Sequence, residues 1–379
     1  MAEQSALTSS ELKGERVKPV TRKELALVIG LCVVLAAGAN SAARWAVDTF
    51  APNLGFRVYQ TKWKQLLSLS EPVDWLVLGD SSANQGVDPE FLERYLGGRA
   101  INLATIADAS AVVEAWMLEQ YIARFGPPRG VVLIHVYDMW QRPIQYQLLA
   151  ETPLPWGYWN TMEPRVDMNF RQTMQVAEFR YLPLYARQDS LLLLLHGKTD
   201  FDERPVITDG GFMKVTRANP RSVATDVQEH LAFTRDNTFT MAEENQRALD
   251  TIAALADRYN FDLFLANAPL YSGVYDNQSF RAYYRQVVDA LTTRFAGNRH
   301  FHYLFKQPML FSIDVMRNVD HLTTTGARRY SEELARRLET LVPPNDEGRL
   351  MPGHRVDPAG ATAAQVGTGG RDSSSRPVP

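Results

Sequence analysis

A single cysteine, Cys32, stands in 379 residues, so no disulfide can form within the chain. Cysteine pairing therefore says nothing about compartment. An excess of either charge is also lacking: 40 Lys and Arg against 43 Asp and Glu leave a net −3, which argues against nucleic acid as a main partner. There is no internal repeat, no phosphate loop and no Cys/His cluster, so neither a metal nor a cofactor is expected. Residues 343–379 lack aromatics and are rich in Pro, Gly, Ala and Ser, the composition of a disordered tail.

What the chain does have is enough apolar material, 45% of its residues, for one large domain or two modest ones. Its longest apolar run is near the start. Residues 1–23 are polar and end in a basic set, Lys13, Arg16, Lys18, Arg22 and Lys23, whereas Leu25 to Ala43 carries no charge. At about 1.5 Å per residue that run just reaches across a hydrocarbon core of about 30 Å. Residues 24–43 are therefore read as one transmembrane anchor. The basic flank puts 1–23 in the cytoplasm and sends the rest to the periplasm or cell exterior, as a single-pass protein of the inner membrane. Ala37-Gly38-Ala39 also fits a signal-peptidase site, but the long polar leader favours an uncleaved anchor. Residues 44–72 follow as an expected stalk, whose aromatics Trp45, Phe50, Phe56, Tyr59 and Trp63 lie either at the membrane surface or on the domain.

The chemistry is expected at Trp75 to Gly86, WLVLGDSSANQG, where an apolar strand breaks abruptly into Gly79, Asp80, Ser81 and Ser82. In a parallel sheet, ligands bind beyond the carboxyl ends of strands, and a Ser there can expose its Oγ while its own N–H faces the same crevice. Ser81 is the candidate nucleophile. Its Oγ is inert until a neutral imidazole takes its proton. His321 offers that base, in a short loop before an amphipathic helix whose apolar positions include Ala327, Tyr330, Leu334 and Leu338.

Between these ends the chain alternates strands and helices. Asp88 and Pro89 open a helix that stops at Gly97-Gly98; Ala100 to Leu103 is a strand; Asp108 is placed to cap a helix to Phe125; Val131 to Asp138 is an apolar strand buried on both faces. The rhythm lapses over about 139–243, read as an inserted lid or subdomain over the sheet's carboxyl edge. Its aromatics Tyr146, Trp156, Tyr158 and Trp159 are either sugar-stacking platforms or, the more common fate, local core. Strands then recur at Asp262 to Pro269 and His300 to Phe305, with helices near Ala242 to Tyr259 and Ser279 to Phe295. Five strands with intervening helices give an α/β fold, a three-layer α/β/α sandwich on a mainly parallel five-stranded sheet of flavodoxin-like type.

Gly79-Asp80-Ser81 after the first strand, and His321 followed by Leu322 and Gly326-Ala327, resemble the motifs of the SGNH (GDSL-type) hydrolase superfamily over Asp74 to Leu341. The likeness is nearest to membrane-anchored members that serve polysaccharide or teichoic-acid O-acylation. The resemblance implies a Ser-His acyl-enzyme mechanism on residues 73–342. It also implies an acid three residues before the His, where Asn318 stands here. Asp320 is the other candidate to orient His321, although a residue adjacent to the His needs an unusual turn to reach Nδ1, and Asp314 is a weaker third. The oxyanion hole would be built from the N–H groups of Ser81 and Ala104, the latter where the family has Gly. The family's third block carries an Asn; Tyr137 or Asp138 occupies that place. Asp80, Tyr137, Asp138 and Asn267 are candidate substrate contacts, and His135, on a buried strand, is read as a core residue.

The expected function is extracytoplasmic O-acyl transfer, most simply of acetyl, on an exported polysaccharide, with a membrane-bound O-acyltransferase as the partner the resemblance implies. A carbohydrate or lipid esterase is one alternative. A non-catalytic scaffold that binds polysaccharide or a membrane acyltransferase is the other.

Overall fold

A computed structural model describes residues 21–199 and 205–342. The expected basic tail, for all but its last residues, and the expected disordered tail 343–379 lie outside those residues.

The chain opens with helix α1 (Arg22–Phe50), capped by Thr21 and Glu24, which accept reciprocally from each other's backbone N–H. Among the described residues it is the one helix long and apolar enough to cross a membrane. The helix does not stop where the uncharged run ends at Ala43. The helix runs on to Phe50, and α2 (Leu54–Ser68) buries Val58, Tyr59, Lys62, Trp63 and Leu66. In the expected stalk 44–72, Tyr59 and Trp63 are spaced to give α2 an apolar face that is part of the core, whereas Trp45 and Phe50, on α1, are exposed.

The main sheet is built from β1 (Trp75–Gly79), β2 (Ala100–Asn102), β3 (Gly130–His135), and, after the insertion, two further strands. Helices α3 (Ser81–Gly86), α4 (Pro89–Leu96) and α5 (Ser110–Phe125) interleave with the first three. The insertion contributes α6 (Tyr146–Glu151), α7 (Phe170–Tyr181), α8 (Pro183–Ala186), α9 (Gln188–Leu195), a short antiparallel pair β4 (Val206–Ile207) and β5 (Met213–Lys214), and α10 (Pro220–Asp236). Then come α11 (Glu243–Tyr259), β6 (Asp262–Asn267), β7 (Leu270–Tyr271), α12 (Ser272–Tyr275), α13 (Gln278–Arg294), β8 (Phe301–Phe305), β9 (Leu310–Phe311) and α14 (Thr324–Glu339).

The five strands of the main sheet are all parallel, in the order β2-β1-β3-β6-β8. This is the doubly wound order in which the sequence reverses direction between β1 and β3, leaving a crevice beyond their carboxyl ends. Right-handed crossovers put α5 and α11 on one face and α4 and α14 on the other. β1 and β3 are buried at every position, as the unbroken apolar runs predict. Gly79 is required where β1 ends: with φ +146°, a Cβ there would lie 2.0 Å from the carbonyl oxygen of Ile134 on β3.

Two local expectations change. Gly79 to Gly86 does not remain a loop, because Asp80 accepts from the N–H of Ser82 and caps α3. Asp108 does not cap α5. It lies in a 3-10 turn, Ala107–Ala109, and meets Arg142 instead. Asp88 and Pro89 do open α4.

Lys62 ties three of these pieces together. Fully buried on α2, it donates to the carbonyl of Asn102 at 2.7 Å and to that of Gly211 in the β4–β5 turn. Burial holds its pKa well below 10.5. The unfolded chain therefore binds a proton at Lys62 that the folded chain has released, and this residue's contribution to stability rises with pH from its folded value towards 10.5. Measured as urea midpoints across that window, the wild type is expected to gain on Lys62→Met by up to about 1.4 kcal/mol per pH unit.

Candidate functional site

Ser81 is the first residue of α3, immediately past the carboxyl end of β1 and half-buried at the crevice. Asp80, which precedes it, is fully buried: Oδ1 accepts from Ser82 N–H at 2.9 Å, and Oδ2 accepts from Val136 N–H at 2.7 Å. Asp80 thus spans the β1–β3 reversal and fixes the angle at which α3 leaves the sheet. Asn102, at the end of β2, holds the same helix from below through bonds from Nδ2 to the carbonyls of Ala83 (2.9 Å) and Val87 (2.8 Å).

The loop bearing His321 is brought to α3 from more than 230 residues away. Ser82 Oγ donates to Asp320 Oδ2 at 3.3 Å, Arg317 to Gln85 Oε1 at 3.3 Å, and Ser331 on α14 to the carbonyl of Gly86 at 3.0 Å. Within the loop, Asn318 Oδ1 accepts from the N–H groups of Asp320 (3.3 Å) and His321 (2.8 Å), which curls the chain back on itself. That curl is the turn that adjacency seemed to forbid. Asp320 Oδ1 and Asn318 Oδ1 each lie 2.7 Å from His321 Nδ1. A proton on Nδ1 shared by these oxygens leaves Nε2 as the acceptor, the tautomer a general base requires.

Burial alone would raise the Asp320 carboxyl; His321, with help from His230 and Arg142, overrides it and holds the group well below the usual carboxylate range. Asp320 is therefore a carboxylate at neutral pH, directed at His321 on one oxygen and at Ser82 on the other. Asp314 plays no part, bonding locally to Ser312. Among the described residues neither Ser81 Oγ nor His321 Nε2 has a hydrogen-bond partner.

Several other candidates have structural employment. Ala104 N–H donates to Asn102 Oδ1 at 3.0 Å and is not free to hold an oxyanion. The strand-end Asn takes the donor for its own turn. Asp80 is spent as described. Tyr137 lies in an aromatic cluster with Phe280 and Tyr283 and meets His230 Nδ1 on α10 at 2.6 Å. Asn267 locks β6 to β8, donating to the carbonyl of Phe305 at 2.7 Å and accepting from Tyr303 at 3.0 Å. All three side chains are already hydrogen-bonded within the fold. Asp138 differs: Oδ2 pairs with Arg142 at 2.5 Å, while Oδ1 is buried without a partner.

Asn219, Asp226, His230 and Glu114, which the sequence did not single out, complete the surroundings together with His135. Helix α10 of the insertion roofs the His321 loop: Asn219 N–H, at its cap, donates to the carbonyl of Met316 at 3.1 Å, His230 meets Tyr137, and Asp226 lies close enough to Asp320 for the two charges to interact. Burial first, and Asp320 second, raise the Asp226 carboxyl. Beneath the nucleophile turn, His135 Nε2 meets Glu114 Oε2 on α5 at 2.9 Å, and His135 Nδ1 lies 3.7 Å from Asp80 Oδ2, all three side chains being buried. Burial opposes charge on His135, but Glu114 and Asp80 more than offset it and raise its pKa to about 9, while burial raises Glu114. The pair shares a proton across neutral pH. A signal was available for Glu114, the lone charged residue amid the apolar stretch Ala111 to Leu118 of α5. Among the described residues no cluster of His, Cys, Asp and Glu is arranged to hold a metal.

Compared with known proteins, the chain matches no family model and no curated protein. Among solved structures it is similar to one described as "a putative platelet activating factor from Streptococcus pneumonia", at 11% identity and a TM-score of 0.33, over 83% of this chain and 98% of that one. A superposition that loose assigns neither activity nor residue roles.

Proposed function

We propose that this is an extracytoplasmic SGNH-like acyl-transfer domain that forms an acyl-enzyme on Ser81. The observation that carries the reading is the hydrogen-bonded path from the nucleophile turn through Ser82 and Asp320 to His321 Nδ1. Ser81 Oγ gives its proton to His321 Nε2 as it attacks the acyl carbonyl. His321 then protonates the departing oxygen, and in the second half-reaction it takes the proton of the acceptor hydroxyl. Asp320 orients the imidazole and stabilises the imidazolium, and Asn318 shapes the loop. Of the two oxyanion donors expected, Ser81 N–H remains. A missing donor costs about 3 kcal/mol of transition-state stabilisation, a deficit that a slow transferase tolerates better than a fast scavenging esterase. The acceptor in this reading is a hydroxyl of an exported polysaccharide, the acyl group acetyl, and the donor a membrane-bound O-acyltransferase. The domain would be held at the outer face of the inner membrane by α1.

One observation favours a simpler esterase. Tyr158 and Trp159 are core residues, and of the four aromatics expected as sugar platforms Trp156 alone is exposed, packed edge-on to Trp159 and tilted against the exposed Tyr181, so that set offers sugars few stacking platforms.

The test is mass spectrometry of the full chain in detergent after incubation with p-nitrophenyl acetate. Wild type is expected to gain one acetyl group, Ser82→Ala to gain it as well, and Ser81→Ala to gain none. Turnover accelerated by added oligosaccharide supports the transferase, and rapid turnover without it the esterase. Equal behaviour of wild type and Ser81→Ala would leave only the scaffold.

A further inference from the structure

The insertion carries an apolar surface that its own fold does not cover. In α8 and α9, Leu184, Tyr185, Leu192 and Leu195 are exposed, Tyr185 to 68% and Leu195 to 82%, within the sequence PLYARQDSLLLLL. Five consecutive leucines on a soluble helix would ordinarily mark core. Here the helix is held in place by polar anchors instead. Arg187, buried between α8 and α9, pairs with Glu151 on α6 and with Asp48 on α1 at 3.4 Å.

The same anchors fix the height of this surface along α1. Leu184 N–H donates to Asn40 Oδ1 at 3.1 Å, and Arg44 donates to the carbonyl of Arg180 at 3.4 Å. Asn40 lies within the uncharged run that ends at Ala43, and Arg44 is the first charge after it. At about 1.5 Å per residue, α8 is docked within about 6 Å of the level where charge resumes. That is the depth of a headgroup region, where amphipathic helices bury their apolar faces about 5–10 Å and where Tyr and Trp concentrate. Trp45, 64% exposed on α1, and Tyr185 stand at that level.

We infer that α8 and α9 form a second membrane contact, lying in the outer interface of the bilayer that α1 crosses, with the leucines in its acyl region. The inference rests on α1 being a membrane span and goes beyond it: the insertion is a lipid-binding element. Its occupant is the bilayer surface itself, because the face is continuous with the lipid-facing flank of α1 and fixed at the depth of the interface.

The test uses the full chain in phospholipid nanodiscs of phosphatidylcholine and phosphatidylglycerol, labelled with an environment-sensitive fluorophore at one cysteine at a time. Cys32 is the native site and reports on the anchor. Leu192→Cys and Leu195→Cys, each with Cys32→Ser, report on the insertion, and Arg329→Cys on α14 gives a water reference. Both insertion labels are expected to be blue-shifted and quenched by doxyl-labelled lipid, to at least half the extent seen at Cys32. A quenched Cys32 with insertion labels that behave like Arg329→Cys overturns the proposal and leaves the anchor standing. Insertion labels shielded from aqueous iodide yet untouched by doxyl lipid overturn it as well, since protein rather than lipid would then cover the face. An unquenched Cys32 removes the anchor, and the second contact with it.

Discussion

Asp320→Asn is expected to lower acyl transfer by about 10⁴-fold near neutral pH with the fold intact, the loss seen when a triad carboxylate is replaced by its amide. Two oxygens approach His321 Nδ1 at 2.7 Å, but one belongs to a carboxylate and one to an amide. Both can fix the tautomer; the carboxylate alone can stabilise the imidazolium that forms as Ser81 loses its proton. A rescue separates this role from simple packing. Adding Asn318→Asp to Asp320→Asn puts a carboxylate on the other 2.7 Å approach and should recover much of the loss, provided the new side chain still accepts from the N–H groups of residues 320 and 321. Initial rates on p-nitrophenyl acetate for the two single variants and the double variant decide the matter. Equal rates for wild type and Asp320→Asn would remove Asp320 from the mechanism.

His135→Ala should cost about 3–5 kcal/mol of stability, the range observed when one partner of a buried ion pair is removed. The cavity is secondary. Glu114 and Asp80 would be left buried, 2.9 and 3.7 Å from where the imidazole stood, with nothing to share a proton. Urea midpoints at pH 7 measure the effect, and a loss of under about 1 kcal/mol would show that the network is not ionic. Glu114→Gln with His135→Gln should fall between wild type and His135→Ala, since the pair is then exchanged for neutral groups. Because Asp80 caps α3, the same substitution should also disturb Ser81, so acylation of the folded fraction is expected to slow.

The sheet was legible because its strands are apolar without interruption. Val131 to Ile134 and Leu76 to Leu78 are all fully buried in the parallel sheet, and a run of that kind has few other places to go. Ser81 and His321 were legible as residues at the ends of elements. The bonds that the sequence did not reveal are those of polar residues whose partners are distant in sequence. Asn267 and Tyr137 sit where strands end, as substrate contacts do, yet Tyr303 and His230, which occupy them, lie 36 and 93 residues away. The bond of Ala104 was hidden for the opposite reason, since the acceptor that takes its N–H is two residues away and a side-chain turn leaves no periodic trace. The stalk's aromatics were open between membrane surface and domain because α2 is amphipathic and short, and nothing in its own sequence says which surface its aromatic face will meet.

The absence of a joint after residue 43 sets the protein's reach. Twenty-nine residues of flexible stalk, 44–72, would let a tethered domain wander over about 30 Å, sampling polymer well above its anchor. A helix that runs unbroken to Phe50, then turns directly into a helix packed in the core, allows no such search. If α1 spans a bilayer, the crevice travels laterally and spins about the membrane normal at one constant altitude, so whatever it meets in the same membrane is met by diffusion in two dimensions, and whatever it meets outside must come to that plane.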